Sequence, residues 1–364
     1  MKPLRESLVM TDRQREHYRD VFRRSMLLAT DPQHCRPMIN IRVPGPPLDW
    51  NRRQADPLAM LEGEIEAFRP HLEMGDDLLP SVRVQFGTGQ VAAAFGCELQ
   101  HLDNDLPAVA SHPITSPDLI RTWPKASLAK GWYPKLRDWT EVFLENLPDG
   151  MVIQHPDIQS PFNTAHLVRG NDILLDFYDD PAAVEQLLDL VTDSMLDIVP
   201  GLKAMLAEHA RKVLGAIPYD QWFFDWGVLW KGAARISNCS LHMISPAFYR
   251  DYVLPRDHRL AAALGGLRVH YCGTAAPVLH DILSIPGLTG LDVDIKLHDW
   301  RTLADEVMPA HVVLMPTGNV LPPDIDRLLQ GDWPKKRNLV IFAEAPNVQA
   351  GRELLARLRA SIPY

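Results

Sequence analysis

Short runs of apolar and β-branched residues recur along the chain, each bounded by turn-forming residues. Most are followed by a stretch in which apolar positions return every three or four residues. Eight runs read as strands: Met38–Arg42, Val82–Phe86, Met151–Gln154, Ala234–Asn238, Leu267–Tyr271, Leu288–Val293, Val312–Met315 and Leu339–Phe342. Helical periodicity falls between them at Asp56–Arg69, Pro181–Glu208, Pro246–Leu264, Ala275–Leu283 and Val348–Ala360, several opening on proline or an acid as first turns prefer. In Pro181–Glu208, Val184, Leu187, Leu188, Val191, Met195, Leu196 and Val199 form one apolar face, while Glu185, Asp189 and Asp193 fall between them. Strands too apolar to be half-exposed, alternating with helices, imply a buried parallel sheet. The expected fold is α/β: a (β/α)8 TIM barrel over residues 36–364, behind an N-terminal helical segment at 1–35. A doubly wound open sheet is the alternative, because periodicity does not report closure.

The irregular stretches Pro44–Arg53, Leu99–Lys130 and Tyr219–Gly232 read as walls or lids, since loops after barrel strands build active sites. The plainer alternative is that they are insertions with no role.

Composition narrows the partners. The 364 residues carry 37 Lys and Arg against 46 Asp and Glu, a formal charge of -9 with no basic run, so nucleic acid is not expected as a partner. No stretch reaches the roughly 18 consecutive apolar residues of a membrane span. The opening residues lack the apolar core of a signal peptide. Four widely spaced cysteines, Cys35, Cys97, Cys239 and Cys272, do not resemble a disulfide framework, and a reducing, cytoplasmic setting is expected.

The segment Leu267-Arg-Val-His270-Tyr-Cys272-Gly273 carries the most chemistry. Residues two apart on a strand share a face, so His270 and Cys272 project together at a strand end, a pair suited to zinc. A packed cysteine beside a hydrogen-bonded histidine is the plainer alternative.

Beyond that pair, the chain resembles the uroporphyrinogen decarboxylase superfamily, most closely its corrinoid-dependent methyltransferase branch. The resemblance rests on His270-Tyr-Cys272-Gly273, on Ser245-Pro-Ala-Phe-Tyr-Arg-Asp-Tyr-Val-Leu-Pro255, and on the segments Val152 to Ala165, Gly290 to Asp294 and Thr317 to Val320. The N-terminal third matches poorly. The resemblance implies a zinc-dependent enzyme in which His270 and Cys272 are ligands. It further implies a methyl group moved between a small substrate or thiol and a corrinoid or folate, the corrinoid arriving on a separate protein.

Departures bear on the site. The early arginine motif with which uroporphyrinogen decarboxylases hold their tetrapyrrole is absent, and Asn40-Ile-Arg42-Val-Pro-Gly stands there. The terminal Gly-Cys-Gly turn of the methyltransferases is replaced by Phe342-Ala-Glu344-Ala-Pro346, which makes Glu344 a candidate oxygen ligand, although it reads also as a solvated loop glutamate. Asp294 falls where distant relatives place an acidic ligand, and it also reads as a helix-capping acid. Asn238-Cys239 stands where relatives often have an acidic pair. Cys239 thus reads as a substitute thiolate, a second reactive group or a small core residue.

The expected metal set is His270, Cys272, Asp294 and Glu344. Cys239, Asn238 and Asp157 are the catalytic candidates. Gln85, Gln159, Asn163, Trp226 and Asn319 are candidates to orient substrate, with helix capping, turn formation or, for Trp226, core packing as the alternative. The alternatives are a metal-independent decarboxylase of an aromatic or tetrapyrrole acid, and a barrel that only binds a ligand or partner. Without the arginine motif, uroporphyrinogen should not be turned over at a rate comparable to a dedicated enzyme, because its carboxylates would be buried unpaired. A decarboxylation assay with that tetrapyrrole checks this.

Overall fold

The computed structural model describes residues 3–363; residues 1, 2 and 364 lie outside it. Eight parallel strands follow one another along the chain: β1 Met38–Arg42, β2 Ser81–Val82, β3 Val152–Ile153, β4 Ala234–Ser237, β5 Leu267–Tyr271, β6 Leu288–Asp294, β7 Val313–Thr317 and β8 Val340–Glu344. Each overlaps an expected window. β4 to β7 form one ladder in chain order, β1 pairs with β8, and β2 pairs with β3. Single bridges join β7 to Leu339 and β4 to Gln159. Between β1 and β2 there is no ladder among the described residues. Instead the Asp77 N–H donates to the Ile39 carbonyl, while the Asp76 and Asp77 carboxylates accept from the Ile41 and Ile39 N–H groups at 2.9 and 2.8 Å. Two buried side chains supply the partners that a neighbouring strand would have supplied.

Helices pack against the strands. α1 (Asp12–Thr30) starts with a capping box between Thr11 and Gln14, and buries Tyr18, Val21, Phe22 and Leu28. α2 (Pro57–Met74) starts at the Asp56 cap with Pro57 in its first turn and stops at Gly75, whose φ of 67° is the left-handed conformation that ends helices. α3 (Pro181–Leu214) runs beyond the expected Glu208 and through Pro200, because its apolar face continues with Leu202, Leu206, Ala210 and Leu214. No helix among the described residues is long and apolar enough to cross a membrane.

Besides the helix expected at Ala275–Leu283, which begins only at Leu279, three expectations need correction. The strand expected at Val82–Phe86 ends at Val82, because the Arg83 N–H donates to Glu64 and the Gln85 N–H to the Met60 sulfur, so side chains of α2 replace strand partners. The helix expected at Pro246–Leu264 contains a wider π turn at Tyr249–Val253, next to Pro255, which lacks an N–H to donate. The stretch Tyr219–Gly232 is not irregular. It holds an antiparallel hairpin, Trp222–Asp225 with Val228–Lys231, closed by Trp226 and Gly227 at φ 52° and 64°. A two-residue loop with both φ values positive matches strand twist, and a tryptophan there accepts a conformation that costs most residues energy.

The hairpin packs its Trp230 ring against β6. A Cβ at Gly290 would lie 2.6 Å from that ring, so only glycine fits. Gly290→Val should cost about 1–3 kcal/mol by overpacking, seen as a melting temperature lower by a few degrees; an unchanged melt would mean the hairpin does not press on β6.

Candidate metal centre

The site is built by register. Along β4 and β5, Ala234 sits beside Leu267, Arg235 beside Arg268 and Ser237 beside His270. The Asn238 N–H extends the ladder by donating to the His270 carbonyl at 2.8 Å. Cys239 and Cys272, 33 residues apart, continue the same offset and come side by side with Cα atoms 5.3 Å apart. On the other flank, Asp292 of β6 lies beside His270, and Gly290 beside Arg268. Alternation along each strand then stacks Arg235, Ser237 and Cys239 next to Arg268, His270 and Cys272, with Gly290, Asp292 and Asp294 beyond.

Donor atoms of Cys239, His270 and Cys272 all lie within 4.8 Å of one another. Cys272 is exposed, and the other two are half-buried. The two sulfurs are joined as a disulfide, which corrects the expectation that the cysteines stay unpaired; Cys35 and Cys97 are free and buried. The cause is the ladder offset, which spacing along the chain does not reveal. In reduced form the same atoms offer two thiolates and an imidazole, a donor set that zinc accepts.

His270 is aimed from behind. Its Nδ1 lies 2.6 Å from the Asp292 carboxylate, so Nδ1–H donates there and Nε2 is the ring nitrogen left to face a ligand. Arg268 pairs with the same carboxylate oxygen at 2.9 Å, and the Thr317 hydroxyl donates to it at 3.3 Å. Burial alone would raise the Asp292 pKa, but Arg268 and His270 outweigh it and hold the carboxyl at about 2.

Below this row lies a closed set of charges. Asp225, from the hairpin, pairs with Arg83 and Arg268 and lies 3.4 Å from Arg235. Burial pushes its pKa up, yet the three guanidiniums hold it below the usual range. Arg235 reaches on to Asp157 at 2.5 Å, and Arg83 donates to the Gln154 side chain at 3.1 Å. The Arg268 guanidinium also lies over the Trp230 ring, 4.2 Å from its centroid. None of Arg83, Asp225, Arg235, Arg268 and Asp292 was picked out from the sequence. The available signal was a charged residue inside a strand otherwise too apolar to face water, as in Leu267-Arg-Val and Leu291-Asp-Val, since a buried charge needs a partner.

The other candidates take varied places. Asn163 accepts from the Ser240 N–H at 2.8 Å and donates to Gln159, so these two buried amides hold the turn that carries Cys239. Asn238 is fully buried and donates to Asp257 at 3.0 Å. Asp157 is engaged by Arg235. Asn319 accepts from Arg42 at 3.0 Å. Gln85 and Trp226 line a cavity of about 310 Å³ with Arg42, Arg83, Gln154 and Phe342. Asp294 and Glu344 lie outside the three-donor group. Asp294 accepts from the Lys296 N–H at 2.8 Å, and Glu344 is exposed at the end of β8 beside Arg42 in the ladder.

No protein-family model matches the chain, and no curated protein matches it. Its fold is similar to the solved structure of a methyltransferase from Methanosarcina mazei, with a TM-score of 0.65 at 18% identity over 94% of this chain and 97% of that one. This likeness establishes a shared mixed α/β fold.

Asp257 gives the site a pH signature. Burial raises its pKa to about 7 against the hydrogen bonds from Asn238 and Tyr249. An unfolded aspartate titrates near pH 4, so above that the unfolded chain has lost a proton that the folded protein keeps. Stability therefore falls as pH rises from about 4 through 7, by at most about 1.4 kcal/mol per unit. Melting curves for Asp257→Asn between pH 5 and 8 should slope less than wild type; parallel curves would mean that Asp257 is ionised throughout.

Proposed function

We propose that this chain is a methyltransferase on a closed (β/α)8 barrel, with a zinc centre formed by Cys239, His270 and Cys272. The observation that carries the reading is the convergence of these three donors at adjacent strand ends, with His270 already oriented by Asp292. Three protein donors leave a fourth position for a substrate atom, the pattern of catalytic rather than structural zinc sites. A zinc ion held by Cys239, His270 and Cys272 would supply Lewis acidity, lowering the pKa of a thiol substrate so that its sulfur could act as a nucleophile at neutral pH.

The chain's own residues do the rest. Asp292 accepts a hydrogen bond from the Nδ1–H of His270 and so fixes which nitrogen is turned outward. Arg268 keeps Asp292 ionised. Asn163 and Asn238 hold the Cys239 turn against β5. The cavity walled by Trp226 and Phe342 accommodates an apolar or flat group, with Gln85, Gln154 and Arg42 supplying polar contacts. The methyl group is moved to or from a corrinoid or folate carrier brought by a partner. That the M. mazei structure is itself named a methyltransferase favours this class.

Metal content is the test. Protein purified under a dithiol reductant with zinc supplied should hold close to one zinc per chain by elemental analysis. Cys239→Ala and Cys272→Ala should lose most of it, while Glu344→Ala keeps it. Asp292→Asn should weaken zinc about 10–100-fold, as loss of a ligand's orienting partner does. Reduced wild type without metal would sink the zinc mechanism, and loss of metal in Glu344→Ala would return Glu344 to the ligand set.

A further inference from the structure

The Cys239–Cys272 pair has two uses that exclude each other. A disulfide holds its sulfurs about 2 Å apart, whereas two thiolates on one tetrahedral zinc stand roughly 3.8 Å apart, from Zn–S bonds of about 2.3 Å. Resting on the zinc reading above, we infer that this site is a redox switch: a hydroperoxide converts the zinc-holding dithiolate into the Cys239–Cys272 disulfide and releases the metal.

Backbone geometry permits both states. The Cα separation of 5.3 Å lies within the range that a disulfide spans without backbone movement. That separation is fixed by the β4–β5 register, by the Asn238 N–H on the His270 carbonyl and by Asn163 on the Ser240 N–H. Cys272 is exposed, so a small oxidant reaches it without any opening of the fold. Cys35 and Cys97 are buried, with thiols pushed up to about 11 and 12 by burial, which leaves them mostly protonated and slow to react.

The chemistry balances with hydrogen peroxide. One thiolate attacks a peroxide oxygen, forming an S–O bond while the O–O bond breaks and hydroxide leaves. The second thiolate attacks that sulfur, forming the S–S bond and expelling another hydroxide. Two electrons leave the sulfur pair and two enter the O–O bond, and both hydroxides take protons from solvent. Left with His270 alone of the three donors, the Zn2+ ion departs. A dithiol reductant returns the two electrons by two exchange steps and restores both thiolates.

The test uses the whole chain, reduced and loaded with zinc, and treated with hydrogen peroxide in the presence of a chromogenic zinc chelator. The expected result is release of about one zinc per chain, loss of two of the four titratable thiols, and a peptide crosslink between Cys239 and Cys272 by mass spectrometry. A dithiol should then restore thiols and zinc binding. Cys97→Ser should behave as wild type, which separates this pair from the free cysteines. Reduced protein that takes up no zinc overturns the metal reading, and this inference with it. Protein that binds zinc but keeps it under peroxide, or yields sulfinic acid on Cys272 with no crosslink, overturns the switch and leaves the zinc reading standing.

Discussion

Asp225 receives Arg83, Arg235 and Arg268 in a region from which water is excluded, and the arrangement above it depends on that balance. Three guanidiniums converging in the interior would repel one another, and each would forfeit several kcal/mol of hydration. Asp225 meets them from one side, Asp292 from above through Arg268, and Asp157 through Arg235. Removing one partner of such a set typically costs about 3–5 kcal/mol, because a charge is stranded. The hairpin that delivers Asp225 also supplies the Trp230 ring under Arg268.

That floor has a chemical consequence one step higher. Arg268 and His270 share an oxygen of Asp292, so the cation that balances the interior also keeps the carboxylate ionised beneath the imidazole. Orientation of His270 is therefore not a property of one hydrogen bond. It comes from a chain of charges running from the hairpin, through β5 and β6, to the donors at the strand ends. Asn238, Asn163 and Gln159 perform the matching task for Cys239, holding its turn with amide hydrogen bonds.

Earlier in the chain, β1 and β2 share no ladder among the described residues. Asp76 and Asp77 satisfy β1, while Glu64 and Met60 satisfy the segment after β2. With backbone partners replaced by side chains, α2 residues reach the cavity that Gln85, Trp226 and Phe342 also line. The charged strands β4 to β6 thus carry the donors, while the side chains that replace backbone partners near β1 and β2 line a cavity.

Hydrophobic periodicity by itself located the eight parallel strands and five of the helices, because burial on both faces demands near-continuous apolar runs and one-sided burial demands a 3.6-residue period; it did not mark the helices at Tyr133–Asn146, Pro161–Arg169 and Pro322–Leu329. Strand alternation also put His270 and Cys272 on one face. It did not say which residues of neighbouring strands lie beside them. The offset of 33 between β4 and β5 made Cys239 the neighbour of Cys272, and the β5–β6 register made Asp292, rather than Asp294 two residues on, the partner of His270. Glu344, expected as a ligand because it stands in place of a thiolate turn in the resembled family, lies outside the three-donor group. Position along a strand follows from local sequence, but adjacency between strands is fixed by turns, helix packing and buried charge pairing summed over the fold, and only the tertiary structure decides it.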